Sequence, residues 1–498
     1  MKRDAPHAAE LSRGYRAWAL FILMLLNALN VADRQGLAAV APALKSDLRL
    51  TDTEMGLIQG LAFAIFHSLL GLPLARLAER RSRTRIVAAS MAMFACFSAL
   101  AAQIRGFTAL LVCRVGVSIG DAGLGPPVSS LLGDHYPANR RASATTIIWL
   151  GAPVGALLGS AVGGWTAQHS NWRNWFIGLA VPAALVALLA WLTLVEPRRG
   201  SYDALPADAS DPDASGPNAG SPDVSSPNAS SPNASSRDVS SPYATAIPTF
   251  ATAMRFLLSK PAMRHVLLGA SFAAIALNGL GQFWPRYLIA VFHIGPAAAG
   301  RFLGLFAVVS MASGLALGGF GVGWAAKRDR RWYAWGPAIA LAISMPLYEM
   351  GFLQPTLART LSLLVPAQIA LFVFFTPTLT IAQNMVGATM RASSAFTAAI
   401  VISLVGTGLG PILVGAISDL VARHTFTLGQ FRSACPGGVA LPAANSLIQQ
   451  ACTEASSRGI STAMASITAL LLLGSLHFLI AARTIRADLD TQYRAGNS

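Results

Sequence analysis

Asp33 and Arg34 stand side by side inside a long apolar stretch, Trp18 to Pro42, and a carboxylate beside a guanidinium there is a candidate proton-handling or ion-handling site. An uncompensated charge near the centre of a membrane helix costs roughly 2.5 to 3.5 kcal/mol, so such residues face a bundle interior and mark a pathway. A later apolar stretch carries Arg114 and Asp121, about two helical turns apart on one face and roughly 10 Å apart along the axis. Depth arithmetic lets the two sets meet. Asp33 lies about 13 Å, and Arg114 roughly 10 Å, from the same end of their helices. Arg114 can then serve Asp33, or Asp121, or each in turn. Arg34 points about 100° away from Asp33 and needs a partner of its own. Such a set supports proton coupling, because a carboxylate separated from its guanidinium in a dry site takes up a proton. The alternative is an ion pair that only orients helices.

The elements that must hold these charges are membrane helices. Of 498 residues 54% are hydrophobic and 12% charged, with a mean hydropathy of +0.52, which is not the composition of a soluble domain. Apolar windows fall at 17–42, 54–76, 84–104, 107–133, 142–167 and 174–195, and then at 264–292, 297–326, 332–352, 357–385, 391–421 and 459–484. The expectation is an all-α membrane protein with twelve transmembrane helices in two six-helix halves. The net charge of +15 sits in alternate loops, among them Arg80, Arg81, Arg83 and Arg85, then Arg140 and Arg141, Arg198 and Arg199, and Lys327, Arg328, Arg330 and Arg331. By the positive-inside rule those loops and both termini face the cytoplasm, so the charge reports topology and implies no nucleic-acid partner. The first stretch is too long, and too charged at Asp33 and Arg34, for a cleaved signal peptide. No phosphate-binding loop, zinc-protease pair or nucleophile elbow is present, which argues against an enzyme or a pump; no cofactor or metal is implied.

The expected organisation is a cytoplasmic tail over 1–16, a half over 17–196, a linker over 197–250, a second half over 251–486 with an outer loop at 422–458, and a tail over 487–498. The linker is rich in Ser, Pro, Asn, Ala and Asp and cannot bury enough apolar surface to fold, so it is read as disordered. Cys435 and Cys452 share the outer loop and are either a disulfide or two free thiols. Glycines at 151, 155, 159 and 163 put a smooth stripe on one helix, where a neighbouring backbone can approach closely. His67 is a further proton candidate or a packing residue. Asn278, Gln282, Trp284, Thr376 and Gln383 are candidate cavity residues from the second half, with Thr380, Phe283, Phe374 and Phe375 nearby. Thr51 with Glu54 reads as a capping box with no transport role.

The twelve-helix, two-half pattern and its charged loop resemble the major facilitator superfamily. Four stretches are similar to its Spinster-like branch, bacterial members included: Val31-Ala-Asp-Arg-Gln35, Gly71-Leu-Pro-Leu-Ala-Arg-Leu-Ala-Glu-Arg80, Gly120-Asp-Ala-Gly-Leu-Gly-Pro-Pro127 and Gly410-Pro-Ile-Leu-Val-Gly-Ala-Ile-Ser-Asp419. Some positions depart from the pattern: Ala75 stands for a typical glycine, Glu79 for an aspartate, and Asp121 for the branch's glutamate. The resemblance implies the major facilitator fold and proton coupling through Asp33, Arg114 and Asp121, with Arg34 a further transport candidate from its place beside Asp33. It also implies a gating loop at Glu79, Arg80, Arg83 and Arg85. The partners it implies are protons, the lipid bilayer and a small or lipid-like substrate of lysophospholipid or sphingoid type, handled by a monomer in a bacterial inner membrane. An uncoupled facilitator or receptor, or a carrier of a small organic anion or drug, is the other reading.

Overall fold

The computed structural model describes residues 12–136, 144–145, 147–197, 250–386, 391–442 and 444–495. The interior of the expected linker, Arg140, Arg141, Arg198 and Arg199 lie outside the described residues, as does the side chain of Glu79. The first half comprises α1 (Arg13–Asp47), α2 (Asp52–Ala78), α3 (Arg83–Ala101), α4 (Phe107–Leu132), α5 (Ile147–His169) and α6 (Arg173–Thr193). A short helix, Phe250–Ser259, leads into the second half. That half comprises α7 (Pro261–Phe292), α8 (Pro296–Ala326), α9 (Trp332–Phe352), α10 (Leu357–Asn384), α11 (Thr397–Thr425) and α12 (Ser446–Arg486). Eleven of these are long and apolar enough to cross a membrane. The 21-residue α9 fills the remaining place, its apolar run interrupted by Pro337, Pro346 and Glu349. Among the described residues the regular structure is entirely helical.

Local chemistry sets several helix starts. Ser12 accepts the Tyr15 N–H at 3.1 Å and opens α1. The capping box expected at Thr51 and Glu54 is formed and opens α2. Asn445 caps α12, which therefore begins at Ser446 rather than at 459. Its first turns are polar, so a hydropathy window misses them. The chain's ends define one face of the bundle, the terminal end, where Trp18 donates to the Thr193 hydroxyl at 2.9 Å and Asp488 accepts the Ala262 N–H at 3.1 Å.

The halves repeat one another in their irregularities. A π-helical turn interrupts α2 at Leu57–Leu61 and α8 at Leu317–Gly321. Likewise α4 breaks between Ala122 and Gly125, and α10 between Phe372 and Phe375. Each half has its own core, with Leu26, Leu37, Phe94 and Phe176 in the first and Leu280, Tyr287, Tyr348 and Phe478 in the second. Large apolar side chains such as Val181, Leu185, Leu188 and Leu192 of α6 point outward, as a lipid-facing surface requires.

Close approach through small residues holds the bundle together, because lipid removes the hydrophobic drive between helices. The glycine stripe of α5 lies on α1 as expected: a Cβ at Gly151, Gly155 or Gly159 would overlap the carbonyl of Met24, Ala28 or Ala32. The same contact joins the halves. A Cβ at Gly300 of α8 would overlap the Ser160 carbonyl of α5, and Gly56 and Gly60 of α2 lie against Pro411 and Thr407 of α11. Overpacking of this kind costs about 1 to 3 kcal/mol. Gly300→Val is therefore expected to wedge the seam open and slow transport in proteoliposomes, whereas Gly178→Val, which faces open space, should not. Equal rates for both variants would show that the seam need not close this tightly.

Candidate functional site

Asp33 of α1 and Arg114 of α4 form an ion pair at 2.7 Å inside the first half, with side chains 1% and 2% exposed. Asp33 Oδ1 and Arg114 Nε have no hydrogen-bond partner among the described residues. Removing one member of such a pair costs about 3 to 5 kcal/mol, because the other charge stays buried. Arg34, turned away from Asp33 as expected, donates to Asp121 Oδ2 at 3.0 Å and to Asn30 at 2.8 Å. His67 Nδ1 lies 3.2 Å from the same Asp121 oxygen, though not aligned for a hydrogen bond. Both guanidinium groups lie over the Phe63 ring, at 4.8 Å for Arg34 and 5.7 Å for Arg114. The Ser118 hydroxyl fixes that turn of α2 by donating to the Phe63 carbonyl at 2.7 Å. In this conformation Arg114 takes Asp33, one of its two expected acids, and Arg34 takes Asp121.

The second pair faces a cavity of about 550 Å³ between the halves. The first half contributes Asn27, Asn30, Arg34, His67, Asp121 and Trp149 to its wall, and the second half Asn278, Phe374, Phe375, Thr378, Ser403 and Thr407. The Thr407 hydroxyl donates to Asn278 at 3.2 Å. Asn278 is therefore placed as expected, as are Phe374 and Phe375, and the other second-half candidates are not. Gln282, one turn further along α7, sits beyond the cavity beside Lys45 and Asp52. Trp284, with Phe283, is buried in the second core, against Tyr287 and Phe306. Gln383 is exposed and, like Thr376, is not on the wall, because past its break α10 presents Thr378 and Leu379 there instead. Asn27, Asn30 and Arg34 were missed as a set, although their spacing is that of one helix face.

The expected gating loop does something else in this conformation. Arg83 is buried, bonded to Asp134 after α4 and to Glu196 after α6, and donates to the Ser130 hydroxyl at 2.9 Å and the Pro197 carbonyl at 3.2 Å. It ties three helix ends of one half together rather than linking the halves. Burial pushes the Glu196 carboxyl up, but the Thr84 N–H and the Arg83 and Ser82 side chains outweigh it and hold the group below the usual carboxylate range. Arg80 and Arg85 are exposed.

A second charge cluster, absent from the expectations, closes the end opposite the termini. Asp52 of α2 binds Lys45 of α1 at 2.7 Å and Arg286 of α7 at 2.8 Å, and accepts from Ser418 of α11 at 2.8 Å. Asp419 of α11 accepts the backbone N–H groups of Asp52 and Thr53 at 3.0 and 2.8 Å, and the Thr53 hydroxyl at 2.6 Å. A carboxylate of one half thus fills the unpaired N–H groups at a helix start of the other, where the helix dipole favours it. Cys435 and Cys452 form a disulfide. Beside it, Gly437 and Gly438, both at positive φ, lay the second half's loop on Lys45 of the first.

Two repeated six-helix halves, sealed at one end and enclosing a charged cavity, define a membrane transporter. The chain belongs to the Major Facilitator Superfamily, whose profile matches residues 23–411. Within it the chain is Spinster-like. A bacterial homolog of the human lysosomal transporter Spinster, solved in an inward-facing and unoccupied conformation, superposes with a TM-score of 0.80 at 28% identity, covering 96% of this chain and 99% of that one. An MFS-type efflux pump of Mycolicibacterium smegmatis is 24% identical over 405 residues, 81% of this chain and 85% of that protein. Protein spinster homolog 1 of Homo sapiens is 28% identical over 196 residues, 39% of this chain and 37% of that protein. The chain is a multi-pass membrane transporter and not an enzyme.

Proposed function

We propose that this chain is a proton-coupled secondary transporter of a small amphipathic or lipid-like molecule, working by alternating access as a monomer in a bacterial inner membrane with both termini cytoplasmic. The carrying observation is the pairing of two acids with two arginines, one pair sealed in the first half and the other on the wall of the shared cavity. The expected topology makes the sealed end external, so the cavity faces the cytoplasm. Protonation of an acid releases its arginine and removes a charge that is costly to carry through the membrane. The wall suits an amphiphile: Arg34, Asn30 and Asn278 offer polar contacts, and Phe374, Phe375 and Ile402 an apolar face for a chain. The segment 197–250 is a cytoplasmic linker between the halves.

Arg34, about one third exposed, also favours a second reading, a small organic anion held without a lipid tail. Proton movement in proteoliposomes separates the two. Addition of lysophospholipids or sphingoid bases is expected to drive proton flux. Flux with small organic anions alone would leave the anion carrier, and silence with every compound would leave an uncoupled facilitator or receptor.

A further inference from the structure

Only some of the charged groups can meet water in the cavity. Asp33 and Arg114 are sealed at 1% and 2% exposure, and Asp121 is 6% exposed behind Arg34. His67 is 36% exposed and lies on the cavity wall. Its ring is stacked on Phe63, with centroids 5.6 Å apart. Nδ1 is buried, makes no hydrogen bond among the described residues, and lies 3.2 Å from Asp121 Oδ2. That oxygen is the one Arg34 holds at 3.0 Å. Two basic groups, a guanidinium and an imidazole, therefore lie against one carboxylate oxygen. The charged groups facing His67 are Arg34 from α1, and Asp121 and, across the Phe63 ring, Arg114 from α4; α11 presents the uncharged Ser403 and Thr407.

We propose, resting on the proton-coupled reading above, that His67 is the group through which the cavity exchanges protons, and that its imidazolium competes with Arg34 for Asp121, freeing Arg34 for an anionic headgroup. The chemistry balances with one proton. Cavity water delivers it to the ring, both ring nitrogens then carry hydrogen, and Nδ1–H donates to Asp121 Oδ2. Arg34 loses that acceptor, keeps Asn30, and turns its guanidinium to a phosphate or carboxylate entering the cavity. Departure of the anion returns Arg34 to Asp121, and the ring gives its proton back. Proton and anion then load together from one side, which couples their movements.

The test uses the full chain in proteoliposomes with lysophosphatidylglycerol as the anionic probe. Wild type, His67→Gln and His67→Lys are compared for probe accumulation under a pH gradient, for probe exchange at equal pH, and for the pH dependence of probe binding read by equilibrium binding of radiolabelled probe. In the wild type, followed from about pH 7.5 to 5.5, binding is expected to strengthen as pH falls. His67→Gln should flatten that profile, and accumulation should fall roughly tenfold more than exchange does, within the usual size of a coupling between two binding events. His67→Lys, permanently cationic, should bind the probe at every pH in that range. Coupled wild-type transport with an unchanged profile and unchanged accumulation in His67→Gln would overturn the role and leave the ring as packing on Phe63. A His67→Lys protein that keeps the wild-type pH dependence would overturn it equally, even if His67→Gln fails to fold. A wild type that moves the probe without protons defeats the coupled reading itself, and this proposal with it.

Discussion

Asp33→Asn is expected to reduce proton-driven accumulation to background while leaving a folded protein in the membrane. The substitution preserves size and most hydrogen-bonding capacity but removes the charge that, among the described residues, pairs with Arg114, whose side chain is 2% exposed. A neutral amide cannot give up or take a proton in the working range, so the switch proposed for the sealed pair is lost. The same change leaves a buried guanidinium uncompensated, at a cost of about 3 to 5 kcal/mol. Reduced thermal stability is therefore expected together with lost coupling, and the two must be separated. Asp33→Asn with Arg114→Gln removes both charges and should recover most of the stability, because two neutral partners need no counter-charge. It should not recover accumulation. Thermal unfolding in detergent and pH-gradient-driven uptake, measured on both variants, settle the matter. Retained accumulation in either would assign Asp33 to helix orientation alone.

The first pair was legible because its warrant is local: an acid and a base in an apolar run are anomalous wherever they occur, and helical rise fixes their depth. The capping box at Thr51 and Glu54 and the glycine stripe of α5 were legible for the same reason, being patterns within one helix. What stayed hidden depends on contacts between helices. Arg34 was known to need a partner, but nothing along the chain says that Asp121, 87 residues away, supplies it. Gln282 and Trp284 follow Asn278 within two turns of α7, yet one lies past the cavity and the other on a different face. Lys45, Asp52, Arg286 and Asp419 were passed over because charges at helix ends are ordinary. Their meaning arises only when ends 367 residues apart meet, as Asp52 and Asp419 do.

That second cluster carries the other large effect. Asp52→Asn is expected to open the sealed end, because it converts a neutral set of two cations and two anions into one with a net positive charge. Lys45 and Arg286 then confront each other with their shared counter-ion gone, at 4% and 13% side-chain exposure. Loss of the central anion costs the closed state about 3 to 5 kcal/mol, a shift of roughly a hundred-fold to several-thousand-fold in the ratio of open to closed forms. The shift matters for the proposed alternating access, in which both ends open in turn, because a sealed end that no longer seals would dissipate a gradient. Spin labels at Arg105→Cys and Leu353→Cys, in the loops at that end of the two halves and with Cys96 and Cys113 first replaced, report the separation directly. A longer, broader distance distribution in Asp52→Asn is the expected result. Adding Lys45→Met restores charge balance, since Arg286 and Asp419 remain, and should bring part of the short distance back. Distances unchanged by Asp52→Asn would place the closure in the glycine seams alone, with the ions as passengers.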